Sequence, residues 1–135
     1  MNKIIIFFKV FFISNNLISK EITINCNGTY KRLGDKNSYD EKRFYSLNVE
    51  NNYFVPSQSL KTIKKLKPKF LELLTQNFQM TDTYILNNFY DEMAMIETRL
   101  RLNRYDLDIV ENIKYRAVGI EAVFKGKCIK VKQQI

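Results

Sequence analysis

The stretch Ile96-Glu97-Thr98-Arg99-Leu100-Arg101-Leu102-Asn103-Arg104-Tyr105-Asp106-Leu107-Asp108-Ile109 decides the fold class. Ile96, Thr98, Leu100 and Leu102 alternate with Glu97, Arg99 and Arg101; Tyr105, Leu107 and Ile109 alternate with Asp106 and Asp108. A period of two is the repeat of a pleated strand. Folding the stretch about Asn103-Arg104 predicts a hairpin with Leu102 opposite Tyr105, Arg101 opposite Asp106, Leu100 opposite Leu107 and Arg99 opposite Asp108. One face is then apolar, and the other carries two opposite-charge pairs that contribute about 0.2–1 kcal/mol each. A slip of one residue would turn every side chain to the wrong face. Arg104 stands where a two-residue turn prefers glycine, so a longer loop stays open.

The same period extends to both sides. Ile22, Ile24 and Cys26 alternate with Thr23, Asn25 and Asn27, which predicts a first strand; Lys31 to Glu41 reads as a polar loop. Tyr45, Leu47 and Val49 predict a second strand, Asn51-Asn52 a tight turn, and Tyr53 to Val55 a short returning strand that ends at Pro56. Val118, Ile120, Ala122 and Phe124 lead into Gly126 and Cys128, after which Ile129 and Val131 change parity, and a bulge near Gly126 is expected. Asn27-Gly28-Thr29 is formally a glycosylation acceptor and reads as a bend where a strand becomes a loop.

Residues 60–78 break the alternation. Leu60, Ile63, Leu66, Phe70, Leu71, Leu74 and Phe78 recur at helical spacings of three and four. Pro68 cannot stand inside a helix, so one short helix is placed near 67–77, starting at Lys67. The expected fold is mainly β, a β-rich α+β domain: an antiparallel open barrel or sandwich with that one helix.

With 135 residues there is room for one domain, and 45% apolar content with ten Phe and eight Tyr is enough for a core. Residues 1–19 comprise Lys3, an apolar run from Ile4 to Ile13 interrupted by Lys9, and a polar exit to Ser19. That is the layout of a signal peptide, which leaves residues 20–135 as the domain. The run is shorter than the roughly 20 apolar residues of a membrane-spanning helix, so no transmembrane span is expected in the mature chain. A buried first strand or an uncleaved anchor would also account for it. Removing Lys3 and Lys9 lowers the formal charge from +8 to +6.

The two cysteines, Cys26 and Cys128, fall on the first and last predicted strands. In an exported chain an even count reads as one disulfide, which requires those strands to be close together. In a cytosolic chain the same residues would be two free thiols.

Three patches, Cys26-Asn27-Gly28-Thr29-Tyr30, Leu102-Asn103-Arg104-Tyr105 and Gly126-Lys127-Cys128, resemble a pattern in small uncharacterised exported proteins of Gram-negative bacteria such as Acinetobacter. That pattern runs C-x-G, then a central N-R-Y-T-G hairpin, then a terminal G-x-C. Here Asp106-Leu107 replaces its Thr-Gly. The resemblance implies a β-rich periplasmic domain with one disulfide, and it implies no activity.

The chain contains no histidine. That excludes Ser-His-Asp and Cys-His nucleophiles and every histidine metal site, and two cysteines alone cannot hold zinc. Among the acids, Asp91 and Glu92 are adjacent and Asp106 and Asp108 are accounted for by arginines, so no catalytic residue, cofactor or metal is assigned. Lys61, Lys64, Lys65, Lys67 and Lys69 form the one dense basic cluster and are the candidate binding residues, unless they simply keep the domain in solution. The expected role is a non-catalytic interaction module, periplasmic or secreted, for an unknown protein or an anionic envelope component. An immunity-type inhibitor of a secreted toxin is the alternative. Nucleic acid is not an expected partner unless the chain stays in the cytoplasm.

Overall fold

A computed structural model describes residues 21–66 and 72–131. Its strands are β1 (Ile22–Arg32), β2 (Tyr39–Asn48), β3 (Tyr53–Pro56), β4 (Gln79–Met80), β5 (Tyr84–Asp91), β6 (Ile96–Asn103), β7 (Asp108–Tyr115) and β8 (Ile120–Lys130), with one helix, α1 (Ser57–Leu66), after β3. The strands form a single antiparallel sheet in the order β3-β2-β1-β8-β7-β6-β5-β4, curled into a half-barrel.

The order makes two wings. One runs outward from β1 to β3; the chain then crosses through α1 to the far edge, and the second wing returns from β4 to β8. First and last strands therefore meet in the middle of the sheet rather than closing its edges. At that seam Cys26 pairs with Cys128 and Gly28 with Gly126, and the two sulfurs are bonded. Asn27-Gly28-Thr29 lies inside β1, not at a bend.

Alternation places Ile24, Cys26, Tyr45, Leu47, Leu100, Leu102, Ile109 and Phe124 on the inner face, where they join one core. Full burial of side chains of this size contributes about 1.5–3 kcal/mol each. The half-barrel is drawn inward at its edges. Asn87 on β5, fully buried, donates from Nδ2 to the Phe54 carbonyl on β3 at 2.7 Å and to the Leu74 carbonyl at 3.3 Å. A side chain thus bridges what no backbone ladder closes.

The loop expected over Lys31 to Glu41 shrinks to residues 33–38, because Lys31 and Arg32 extend β1 and Tyr39 to Glu41 open β2. Three further local expectations change. The helix is Ser57–Leu66, one segment earlier than 67–77. Of the expected range, residues 67–71 lie outside the described residues, and 72–74 form a single 3₁₀ turn. Pro56 and Pro68 bracket the helix: it starts just after one, and the residue before the other is biased away from helical dihedrals. Leu60 and Ile63 enter the core, while Lys64 and Lys65 occupy the last turn, where cations suit the helix dipole.

The 96–109 hairpin exists, but its loop is longer. Leu102 pairs with Ile109, Leu100 with Glu111 and Arg99 with Asn112. The expected Arg101–Asp106 and Arg99–Asp108 pairs do not form. The Asn103 side chain accepts from the N–H groups of Tyr105 and Asp106 at 2.8 and 3.2 Å, the Asn103 backbone carbonyl accepts from Leu107 N–H at 3.0 Å, and Leu107 has φ 60°. This Asx turn takes up residues 104–107 and shifts each strand by two positions, so Leu100, Leu102 and Ile109 keep the inner face, while Tyr105, expected on that face opposite Leu102, lies exposed in the turn. Finally, β8 runs from 120 to 130 without a bulge, so Ile129 and Val131 face outward.

Candidate functional site

The outer face of β6, β7 and β8 gathers six charged side chains in one trough. Register sets Arg101, Val110 and Lys125 in one row, Arg99, Asn112 and Val123 in the next, and Glu97, Lys114 and Glu121 in a third. They line an open trough of about 730 Å³. Among the described residues no ion pair holds Arg99, Lys114 or Lys125.

Of the two acids there, Glu97 is engaged: its Oε1 accepts from Arg116 at 2.6 Å. That hydrogen bond holds its carboxyl below the usual range, and the charges of Lys114 and Arg99 add to the effect. The Arg101 guanidinium lies 5.2 Å from the Tyr84 ring centre and that of Arg116 4.6 Å from Tyr90. Rings under these cations reduce the number of conformations the long side chains must lose on binding. Chemically the trough offers several guanidinium and ammonium donors over a partly apolar floor, which suits phosphate or carboxylate groups.

The lysine cluster is divided. Lys61, Lys64 and Lys65 are exposed on α1, and Lys61 and Lys64 line a groove of about 390 Å³ together with Glu21, Phe44, Ser46 and Ser57. Lys64 Nζ lies 3.5 Å from Glu21 Oε1. The acid therefore offsets part of the groove's charge. Lys67 and Lys69 lie outside the described residues, as do residues 1–19.

Three of the four acids weighed for catalysis, Asp91, Asp106 and Asp108, have structural partners. The Asp91 carboxylate accepts from the N–H groups of Met93 and Ala94, and that of Asp106 from Asp108 N–H. Asp108 itself pairs with Lys127 at 2.9 Å.

Sequence reasoning passed over Glu111, which is only 2% exposed on the inner face of β7. The Tyr45 hydroxyl and Arg43 Nη1 both donate to its Oε1, the latter at 3.1 Å. Arg43 also bonds Glu41 and lies 5.4 and 5.3 Å from the ring centres of Tyr30 and Phe124. The Tyr30 and Tyr115 hydroxyls are 3.1 Å apart, and burial followed by that contact pushes Tyr115 up to about 12. Burial raises Glu111 as well, against the pull of Arg43 and Tyr45. The signal was present: Glu111 stands between Ile109 and Ile113 at an inward position, as Arg43 stands two residues from Tyr45.

No protein-family model, curated protein or solved structure matches the chain.

Proposed function

We propose that this chain is an exported, non-catalytic interaction module that docks an acidic partner at the cell envelope through the outer trough of β6–β8. The partner is an anionic lipid, a lipopolysaccharide phosphate or an acidic protein surface. The observation that carries this reading is the placement of Arg99, Arg101, Lys114 and Lys125 on three adjacent strands, against Glu97, already bonded to Arg116, and Glu121. The Cys26–Cys128 bond suits an oxidising compartment. The engagement of Glu111 by Tyr45 and Arg43, together with a chain that lacks histidine, supports a binding role over a catalytic one.

The test is retention of the oxidised protein on lipopolysaccharide and on anionic vesicles, with pull-down from a periplasmic extract alongside. Retention that weakens with added salt and disappears in R99E/R101E/K125E supports the proposal. Equal retention of that variant, whose changes are all on the surface, overturns it. Fractionation tests the compartment: a cytoplasmic protein that retains Met1 and two free thiols would sink the envelope role.

A further inference from the structure

At the end of the half-barrel where β1 begins and β8 ends, the inner face leaves a cavity of about 150 Å³. Ile22, Ile24, Leu47, Ile85, Leu102 and Leu107 form its apolar walls, and the remaining two lining residues are Arg104 and Lys130. Lys130 faces inward because it pairs with Ile24 across the seam. Arg104 is held at the mouth: its backbone N–H bonds the Thr83 carbonyl at 2.8 Å and its Nη1 the Thr81 carbonyl at 2.5 Å. Among the described residues one of its five guanidinium donors is used, for that bond.

The charge pattern separates this cavity from the groove beside α1 and from the outer trough. The groove beside α1 includes Glu21, and the outer trough includes Glu97 and Glu121. Here both charged lining residues are cations, next to six aliphatic side chains, and no carboxylate among the lining residues offsets them. Two cations beside a hydrocarbon wall are complementary to one kind of molecule, an anion with a short apolar tail. The volume sets the length of the tail. Apolar cavities of about 150 Å³ hold a benzene-sized group, or roughly six carbons.

We propose that this mouth is a binding site for a free medium-chain aliphatic carboxylate, its tail between Ile24, Leu47 and Leu102 and its carboxylate between Arg104 and Lys130. Mouths of open barrels are common places for such sites. The site lies on the inner face and is independent of the outer trough, so either can fail alone.

Titration of the full mature chain with hexanoate, hexanol and hexylammonium, followed by amide chemical shifts, tests the proposal. Hexanoate shifts the signals of Ile24, Leu102 and Leu107 saturably, hexanol binds at least about tenfold more weakly, and hexylammonium does not bind; a hydrogen-bonded charge accounts for a factor of that size. R104M/K130M keeps the aliphatic stems and weakens hexanoate to the level of hexanol. I22W fills the partly exposed rim and abolishes binding. Absence of saturable hexanoate binding, equal binding of hexanol, or unchanged binding by R104M/K130M each overturns the proposal. The hexanoate–hexanol comparison on the unaltered protein decides it even where a variant fails to fold.

Discussion

Gly28 stands opposite Gly126 at the β1–β8 seam, and a Cβ on Gly28 would lie 2.0 Å from the Lys125 carbonyl oxygen and 2.5 Å from the Gly126 Cα. Both obstacles are backbone of a central strand, which cannot turn aside as a side chain can. The seam therefore needs hydrogen, not methyl, at this position. Gly28→Ala is expected to cost about 1–3 kcal/mol by overpacking, toward the upper end because two wings would have to separate. Urea unfolding of the oxidised protein checks this, and an unchanged midpoint would remove the close approach as a requirement of the fold.

Two residues along the same seam, the cysteines occupy another close approach of the two strands. The Cys128 N–H bonds the Leu107 carbonyl on the β7 side at 2.9 Å, so Cys26 and Cys128 form a non-hydrogen-bonded pair, with Cα atoms 4.0 Å apart. The bond spans 102 residues and ties the two wings together. By the chain-entropy argument it stabilises the fold by about 4–5 kcal/mol. Comparison of urea midpoints with and without reductant measures this, and coincident midpoints would show that the seam holds through its ladder alone.

These two pairs also show what was legible in the sequence. C-x-G and G-x-C run in opposite directions, so an antiparallel seam necessarily places cysteine opposite cysteine once glycine faces glycine. Alternation assigned the inner face correctly at Ile24, Tyr45, Leu100 and Ile109, because a period of two survives any even shift in register. It could not fix the register itself, which depends on loop chemistry. The Asn103 side chain reaches two backbone N–H groups, and Leu107 takes a positive φ where the resembled pattern has glycine. The helix is displaced from its expected place because the apolar spacing runs through Pro68 and suits a helix on either side; taking Pro68 as a start selects the wrong side, since the helix opens after Pro56 and ends at Leu66. The outer trough was not visible as a cluster. Arg99 and Arg101 are separated from Lys114 and Lys125 along the chain, and only pairing of β6, β7 and β8 brings them together.

Asn87 is the side chain that joins the curled edges, and its removal tests that function. Asn87→Ala loses the bonds to the Phe54 and Leu74 carbonyls. Its own buried Oδ1 has no partner among the described residues, which reduces what the residue contributes. The expected net loss is about 1–3 kcal/mol, chiefly from leaving buried carbonyls unpaired. Hydrogen exchange should accelerate more at β3 than at the β1–β8 seam. Uniform acceleration across all strands would contradict a specific role at the edges.

Glu111 gives the fold a pH dependence whose sign can be worked out. Burial raises its carboxyl above the ordinary value of 4.5, while Arg43 and Tyr45 pull it down and Glu41, beyond Arg43, pushes it up. The other groups around Arg43 are the hydroxyls of Tyr30 and Tyr115, linked to each other. A carboxyl that holds its proton more tightly folded than unfolded stabilises the fold in acid. That contribution is complete below the unfolded value and is lost as pH rises through the folded one. Glu111→Gln removes the titration. The stability of the natural protein relative to the variant is therefore expected to be greatest near pH 4 and to decline as pH rises. Urea unfolding of both proteins across that range measures the difference. If the natural protein instead gained on the variant with rising pH, Glu111 would be an anion in the fold, with its Arg43 partner outweighing burial.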